Sequence, residues 1–331
     1  MKYEQIILVR DKTRMERLVE RFNTWSQARF YLERSGNNPQ VYEEEHRVFY
    51  RSLEGLQQHM ARRVRYKVLL REYLPSFLFA PDQLIVVLGQ DGLVANTAKY
   101  AGQQPILGVN PDPHRYDGVL LPFATGNAMA CLRDALDGLL PARNVSMAEA
   151  RLRDGQRLLA FNDLFIGQAG HRSARYQIRF GQQREEQSSS GVLVATGVGS
   201  TGWLSSVWNM ARSVHVFAGS EQLVSMPQMS WEQERLLFVV REPFLSRSSG
   251  IALTAGTICD AERLEIESYM PDQGVIFSDG IESDFLHFSA GAVASIGVAS
   301  ERAVLLQKPQ SAPQRQAPTL SKRTKSPGSM R

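Results

Sequence analysis

Cysteine is scarce: the 331-residue chain holds two, Cys131 and Cys259, with no Cys-x-x-Cys pair and no histidine cluster at metal-ligand spacing. That excludes a disulfide scaffold and the zinc-ribbon classes. Both cysteines have apolar sequence neighbours, so buried, reduced thiols in a cytoplasmic protein are expected. Long apolar runs are missing too. No stretch reaches the roughly 20 residues of a membrane-spanning helix, no basic amphipathic helix suits a membrane surface, and Met1–Gln5 leads into a strand-like run without a signal-peptide pattern. Nor does the body carry a strong charge of one sign. The net charge is +4, but Lys308–Arg331 holds six cations and no acid, which leaves −2 on residues 1–307. This Pro/Ser/Gln-rich tail, 308–331, is expected to be solvated and disordered. Nothing elsewhere resembles a nucleic-acid recognition module, so nucleic acid is not an expected partner.

A hydrophobic content of 43% and a charged content of 22% are those of a globular protein. The most informative stretch is Leu84-Ile85-Val86-Val87-Leu88-Gly89-Gln90-Asp91-Gly92. Five branched apolar residues suit a strand buried on both faces of a parallel sheet, followed by a glycine turn and a helix. Open α/β sheets bind ligands beyond the carboxyl ends of such strands, and helix-start N–H groups favour phosphate. Asp91, between two turn residues, can accept a hydroxyl proton or bind a metal ion.

Around this stretch strands and helices alternate. Strands are predicted at Ile6–Val9, Val64–Leu70 and Pro105–Asn110. Helices are predicted at Lys12–Ser35, Glu43–Arg63, Leu93–Tyr100 and Asn127–Leu139, with the aromatics of the first in the core. The pattern predicts an α/β N-terminal domain with an open, mostly parallel sheet over residues 1–140. From 141 to 307 short strands dominate, including Leu158–Ile166, Val192–Ala195 and Val275–Phe277, with one helix at Trp203–Ser213. A C-terminal β-rich, sandwich-like domain is expected.

Three further motifs lie in this second half. Asn162-Asp163 interrupts an apolar strand, which is costly unless the pair faces a site. Thr196-Gly197-Val198-Gly199-Ser200-Thr201-Gly202 places glycines and hydroxyls after a buried strand, a set suited to phosphate or ribose oxygens. It also reads as GxGxxG, with Val214–Phe217 as a following strand and Glu221 as the acid of a dinucleotide fingerprint. Asp279-Gly280 ends the third strand in a turn.

In this order the set resembles the NAD kinase family, within the wider superfamily of diacylglycerol kinase-like proteins. Gly89-Gln90-Asp91-Gly92 is similar to that family's Gly-Gly-Asp-Gly, Gly108-Val109-Asn110 to its Gly-Ile-Asn, and Asn162-Asp163 to its Asn-Glu. Thr196–Trp203 is similar to its Thr-Pro-Thr-Gly-Ser-Thr-Ala-Tyr, and Asp279-Gly280 to its late Asp-Gly turn. The resemblance implies a two-domain fold with a cleft between the domains, and transfer of the γ-phosphate of ATP to the 2′-hydroxyl of NAD or of a related nucleotide or sugar. It implies Asp91 as base or hydroxyl orienter. Gly89, Gln90, Gly92, Asn110, Asn162, Asp163, Thr196, Gly199, Ser200, Thr201 and Asp279 would contact the nucleotides. Mg²⁺ would be held through substrate phosphates and not by protein side chains alone, and the chain would form homo-oligomers.

The sequence departs from the family pattern where Gln90 replaces the second glycine, Leu93 a hydroxyl residue, Asp163 a glutamate, and Gly197-Val198 a Pro-Thr pair. A non-catalytic nucleotide-binding protein that kept the cleft is therefore the alternative reading, ahead of a lipid kinase.

Overall fold

The computed structural model describes residues 1–219 and 225–309. Glu221 and the tail from residue 310 onward lie outside the described residues. The first half runs β1 (Gln5–Arg10), α1 (Arg14–Phe22), α2 (Trp25–Arg34), α3 (Pro39–Ala61), β2 (Arg65–Leu70), a 3₁₀ turn (Arg71–Ser76), β3 (Gln83–Leu88), α4 (Asp91–Ala98), β4 (Pro105–Asn110), β5 (Phe123–Ala124) and α5 (Thr125–Asp137). The order β4-β3-β1-β2 is parallel throughout. Alternation along the strands sorts the core into two layers. Ile7, Val9, Ile85 and Val87 pack with Leu93, Val94 and Ala98 of α4, whereas Ile6, Leu8, Leu84 and Val86 pack with Phe49, Leu53, Leu56 and Met60 of α3 and Leu132 of α5.

The second half runs β6 (Ala142–Leu152), β7 (Arg157–Ala160), β8 (Asp163–Gln168), β9 (Ala174–Phe180), β10 (Gln183–Ser189), β11 (Val192–Ala195), α6 (Trp203–Phe217), β12 (Arg235–Val240), β13 (Ala255–Cys259), β14 (Leu264–Ser268), β15 (Gly274–Ser278), β16 (Ile281–His287) and β17 (Val293–Leu306). Two layers form here. One is the antiparallel sheet β13-β12-β11-β8-β15-β16. The other joins β6, β7, β9, β10, β14 and β17 to the parallel sheet, because β17 pairs with β6 and β14 and also runs parallel to β4. Tyr176, Ile178, Val194, Phe238, Ile266 and Ile276 are among the buried residues between the layers. An α/β half with an open parallel sheet and a β-sandwich half agree with the expected fold class.

Several local expectations need correction. The helix predicted over Lys12–Ser35 is two, because Asn23 closes α1 in the left-handed region at φ 63° and Thr24 caps α2 by accepting from the Gln27 N–H at 3.3 Å. The apolar stripe of that segment is only half in the core: Ala28 and Leu32 are buried, while Phe22 and Trp25 are half-buried. The run Leu158–Ile166 is two strands that part at Phe161-Asn162. Val214–Phe217 continues α6 and is not a strand, so the dinucleotide fingerprint loses its second β element. Cys131 and Cys259 are free, but the first is half-buried and the second exposed. Among the described residues no helix is long and apolar enough to cross a membrane.

Candidate functional site

The parallel sheet reverses its winding at β1. The chain leaves β1 for β2 on one side and returns to β3 on the other. A crevice opens beyond the carboxyl ends of strands at such a point. A cleft of about 360 Å³ lies there, lined by Asp11, Lys12, Arg14 and Arg17 after β1, Arg71 after β2, and Gly89, Gln90 and Gly92 after β3. Glu45, Phe49, Asp112 and Tyr116 complete much of its wall.

Gln90 precedes the first turn of α4 with extended backbone (φ −111°, ψ 167°), and its side chain does not cap the helix. The leading N–H groups of α4 are therefore left without a side-chain acceptor at the cleft, a favourable place for an anion. Asp91 opens α4, and its two carboxylate oxygens accept from the backbone N–H groups of Val119 (3.2 Å) and Leu120 (2.7 Å). Asn110, buried at the end of β4, donates to the Tyr116 carbonyl at 2.9 Å and accepts from the Asp112 N–H at 3.0 Å. Both side chains thus fix the loop after β4, one at each end of it.

Of the first group Gly89, Gln90 and Gly92 line the cleft, while Asp91 and Asn110 stand behind it; the remaining predicted residues gather in a second group, none of which lines it. Asp279 sits at φ 54° in the β15–β16 turn. Its carboxylate accepts from the backbone N–H groups of Phe161 (3.1 Å), Asn162 (2.6 Å) and Asp163 (3.4 Å), where β7 gives way to β8. Asp163 is 6% exposed. Burial, and then the neighbouring Asp279 charge, push its carboxyl up to about 7. Burial also raises Asp279 above the usual carboxylate range, against the opposing Lys99 charge and the three N–H bonds.

Thr196 is fully buried and donates to the Phe161 carbonyl at 2.7 Å. It accepts from the Gly199 N–H at 3.2 Å. Gly199 has to be glycine, since a Cβ there would stand 2.0 Å from the Asn162 carbonyl oxygen. Ser200 and Thr201 hydroxyls donate to the carbonyls of Gly197 (2.7 Å) and Val198 (3.3 Å). In this arrangement the hydroxyls build the turn, and the half-buried Asn162 side chain has no hydrogen-bond partner among the described residues.

One helix joins the two groups. Lys99 and Tyr100 follow α4 directly. The buried Lys99 amine donates to Ser278 Oγ at 2.8 Å and pairs with Asp284 at 3.3 Å, and the Tyr100 hydroxyl donates to the same Asp284 carboxylate. Burial and then that hydrogen bond raise the Tyr100 phenol well above its ordinary value. Sequence reasoning missed Lys99, Tyr100 and Asp284, and also Asp11, Arg17 and Arg71. A lysine ending an otherwise apolar helix was a usable signal, because lysine is almost never fully buried unpaired.

No protein-family model matches the chain. Over 138 residues it is 30% identical to an NAD kinase of Burkholderia multivorans, a match covering 39% of this chain and 45% of that relative. An NAD kinase of Burkholderia cenocepacia matches to the same extent. The chain thus spans under half the length of the curated relatives it matches. Two solved structures share the fold across most of the chain. An NAD kinase from Archaeoglobus fulgidus in complex with ATP superposes with a TM-score of 0.55 at 16% identity, covering 92% of this chain and 93% of that one. Yeast NADH kinase complexed with NADH gives a TM-score of 0.56 at 13% identity, covering 93% and 85%. The comparisons thus give a partial sequence similarity to NAD kinases and a fold shared over nine-tenths of the chain.

Proposed function

We propose that the protein is a phosphotransferase of the NAD kinase type, using ATP as donor and NAD, NADH or a closely related nucleotide as acceptor. The observation that carries this reading is the cleft at the β1/β3 winding reversal, where Gly89, Gln90 and Gly92, the neighbours of Asp91, meet a wall containing Lys12, Arg17 and Arg71. A structure with ATP and a structure with NADH share the fold, which supports a nucleotide in each role.

In the proposed reaction the acceptor's 2′-oxygen attacks the γ-phosphorus. The bond from that phosphorus to the β,γ-bridging oxygen breaks, and ADP leaves. The hydroxyl proton passes to the Asp91 carboxylate. Each Asp91 oxygen already accepts one backbone N–H, but each has a second lone-pair site free for a hydroxyl. Such a reaction asks the protein mainly for positioning and charge neutralisation. Among the described residues no three His, Cys, Asp or Glu side chains converge to hold a metal ion. A Mg²⁺ ion would come with the donor's phosphate oxygens, and no step is assigned to a protein-held metal.

The alternative, a nucleotide-binding protein without turnover, is favoured by one observation: both Asp91 oxygens are engaged by the loop after β4. The test is a transfer assay with γ-labelled ATP over NAD, NADH, nucleosides and sugars, run beside thermal shift with each ligand. Label in a dinucleotide, lost in Asp91→Asn, supports the kinase. Ligand-dependent stabilisation with no labelled product supports the binder.

A further inference from the structure

Arg10 and Leu70 are register partners in the parallel pair β1–β2. The residues that follow them, Asp11 and Arg71, therefore emerge side by side at the carboxyl edge of the sheet. Arg71 Nη1 donates to Asp11 Oδ2 at 3.1 Å, and Arg17 Nη2, from α1, donates to the same oxygen at 2.6 Å. The other oxygen, Oδ1, accepts from the Lys12 N–H at 2.7 Å. Burial by itself would raise the Asp11 carboxyl, but the two guanidinium hydrogen bonds hold it below the usual carboxylate range. One carboxylate thus fixes two guanidinium groups from different elements and leaves a net positive charge.

Donor accounting shows what those groups still offer. A guanidinium carries five N–H donors in a rigid fork. Arg71 also gives Nε to Asn96 Oδ1 at 3.4 Å, which leaves its Nη2 without a partner among the described residues. Arg17 keeps Nε and Nη1. All three of these side chains line the cleft that Gly89, Gln90 and Gly92 line.

We propose that Arg17 and Arg71, tied together by Asp11, clamp the polyphosphate chain of a nucleotide in this cleft, with Asp11 as the positioning residue. The ligand class is a linear polyphosphate, from a triphosphate donor or from the pyrophosphate of a dinucleotide. Biologically the proposal rests on the phosphotransferase reading; as a binding site it is tested without turnover. Spare N–H groups of two oriented forks match the terminal oxygens of such a chain better than a lone flexible ammonium would.

The test measures binding of inorganic tripolyphosphate, ADP and NAD to the full-length chain by calorimetry, for wild type, Arg71→Met, Arg71→Lys, Arg17→Met and Asp11→Asn. Circular dichroism and ligand-free melting temperatures serve as folding controls. Expected is a tenfold or greater loss of tripolyphosphate affinity in each Met variant, a smaller loss in Arg71→Lys, which keeps charge but not the fork, and a several-fold loss in Asp11→Asn. A loss seen with tripolyphosphate and ADP but not NAD assigns the clamp to the donor; a loss confined to NAD assigns it to the acceptor. Unchanged affinity for all three ligands in folded Arg17→Met and Arg71→Met overturns the clamp. Tighter binding in Asp11→Asn overturns the positioning role, because it would show that Asp11 competes with phosphate. Transfer assayed in parallel separates the two claims. Arg71-dependent binding without transfer by wild type removes the kinase reading and keeps the clamp, whereas normal transfer with Arg-independent binding does the reverse.

Discussion

The Lys99 amine stands 2.8 Å from Ser278 Oγ, and this contact ties the helix that begins at the Gly89–Gly92 turn to the strand that leads into the Asp279 turn. Its side chain is 2% exposed, against 27% for its partner Asp284. A charge so deeply placed is stabilising only while its partners remain. The two groups of candidate residues therefore share a mechanical link.

Lys99→Met is expected to lower the free energy of unfolding by about 1–3 kcal/mol, the scale of hydrogen bonds to charged groups in which one partner is left unsatisfied. Lys99→Arg, which keeps the charge, should recover part of that loss. Urea titration followed by circular dichroism measures both. Equal stability of the methionine variant and wild type would show that the contact contributes nothing.

The pair Asp163 and Asp279 sets a pH dependence whose sign can be worked out. Asp163 lies at about 7 in the folded chain against 3.8 for an ordinary aspartate, and Asp279 is shifted in the same direction. Between those limits the folded state binds more protons than the unfolded state, so stability falls as pH rises. The contribution is greatest below about pH 4 and is lost by about pH 7. Asp163→Asn should flatten this part of the stability–pH curve. A slope unchanged by that substitution would assign the dependence to other groups.

Asp279→Ala is expected to cost about 2–3 kcal/mol, since the carboxylate accepts from three backbone N–H groups at the β7–β8 break. Asp279→Asn keeps one acceptor oxygen and tolerates the left-handed backbone, so its loss should be smaller. Hydrogen exchange at the Phe161, Asn162 and Asp163 amides reports the same bonds one by one. Protection that survives Asp279→Ala would show that these amides are held by something else.

These relationships also show what could be read from the chain. The strand Leu84–Leu88 and the turn after it were legible because a fully buried parallel strand leaves an unbroken run of branched residues. The order of the Asp91, Asn110, Asn162 and Asp279 motifs was legible for a similar reason: each is a polar break after an apolar strand. Pairing across long sequence separation was not. Arg71 opens a 3₁₀ turn with nothing local to mark it, and its partner Asp11 is sixty residues away. The span of β17 was hidden because its two ends serve different partners: Leu305 lies beside Ile106, while Ile296 lies beside Leu264. The hydroxyls of Thr196 and Ser200 looked like ligands in the sequence; in the fold Thr196 donates to the Phe161 carbonyl at the β7–β8 break and Ser200 to the Gly197 carbonyl of its own turn.

The last prediction separates what the fold requires of the Gly89–Gly92 turn from what a ligand requires. A Cβ at Gly89 would meet Leu93 Cδ2 at 2.9 Å, so a side chain there would require that methyl group to shift. A Cβ at Gly92 would meet nothing within 4 Å, and its backbone is helical with no left-handed φ. Nothing in the fold asks for glycine there, and alanine should stabilise the first turn of α4 by up to about 1 kcal/mol. If a nucleotide phosphate approaches the backbone at this point, Gly92→Ala should leave melting temperature equal or higher while weakening binding of ADP and tripolyphosphate several-fold. Gln90→Gly tests the same turn from the other side. Its exposed side chain either obstructs the phosphate, in which case affinity rises, or donates to it, in which case affinity falls by about 1 kcal/mol. Calorimetry on both variants decides the matter. Unaltered affinity in both would mean that phosphate does not lie at this turn, and the mechanism built on Asp91 would lose its donor.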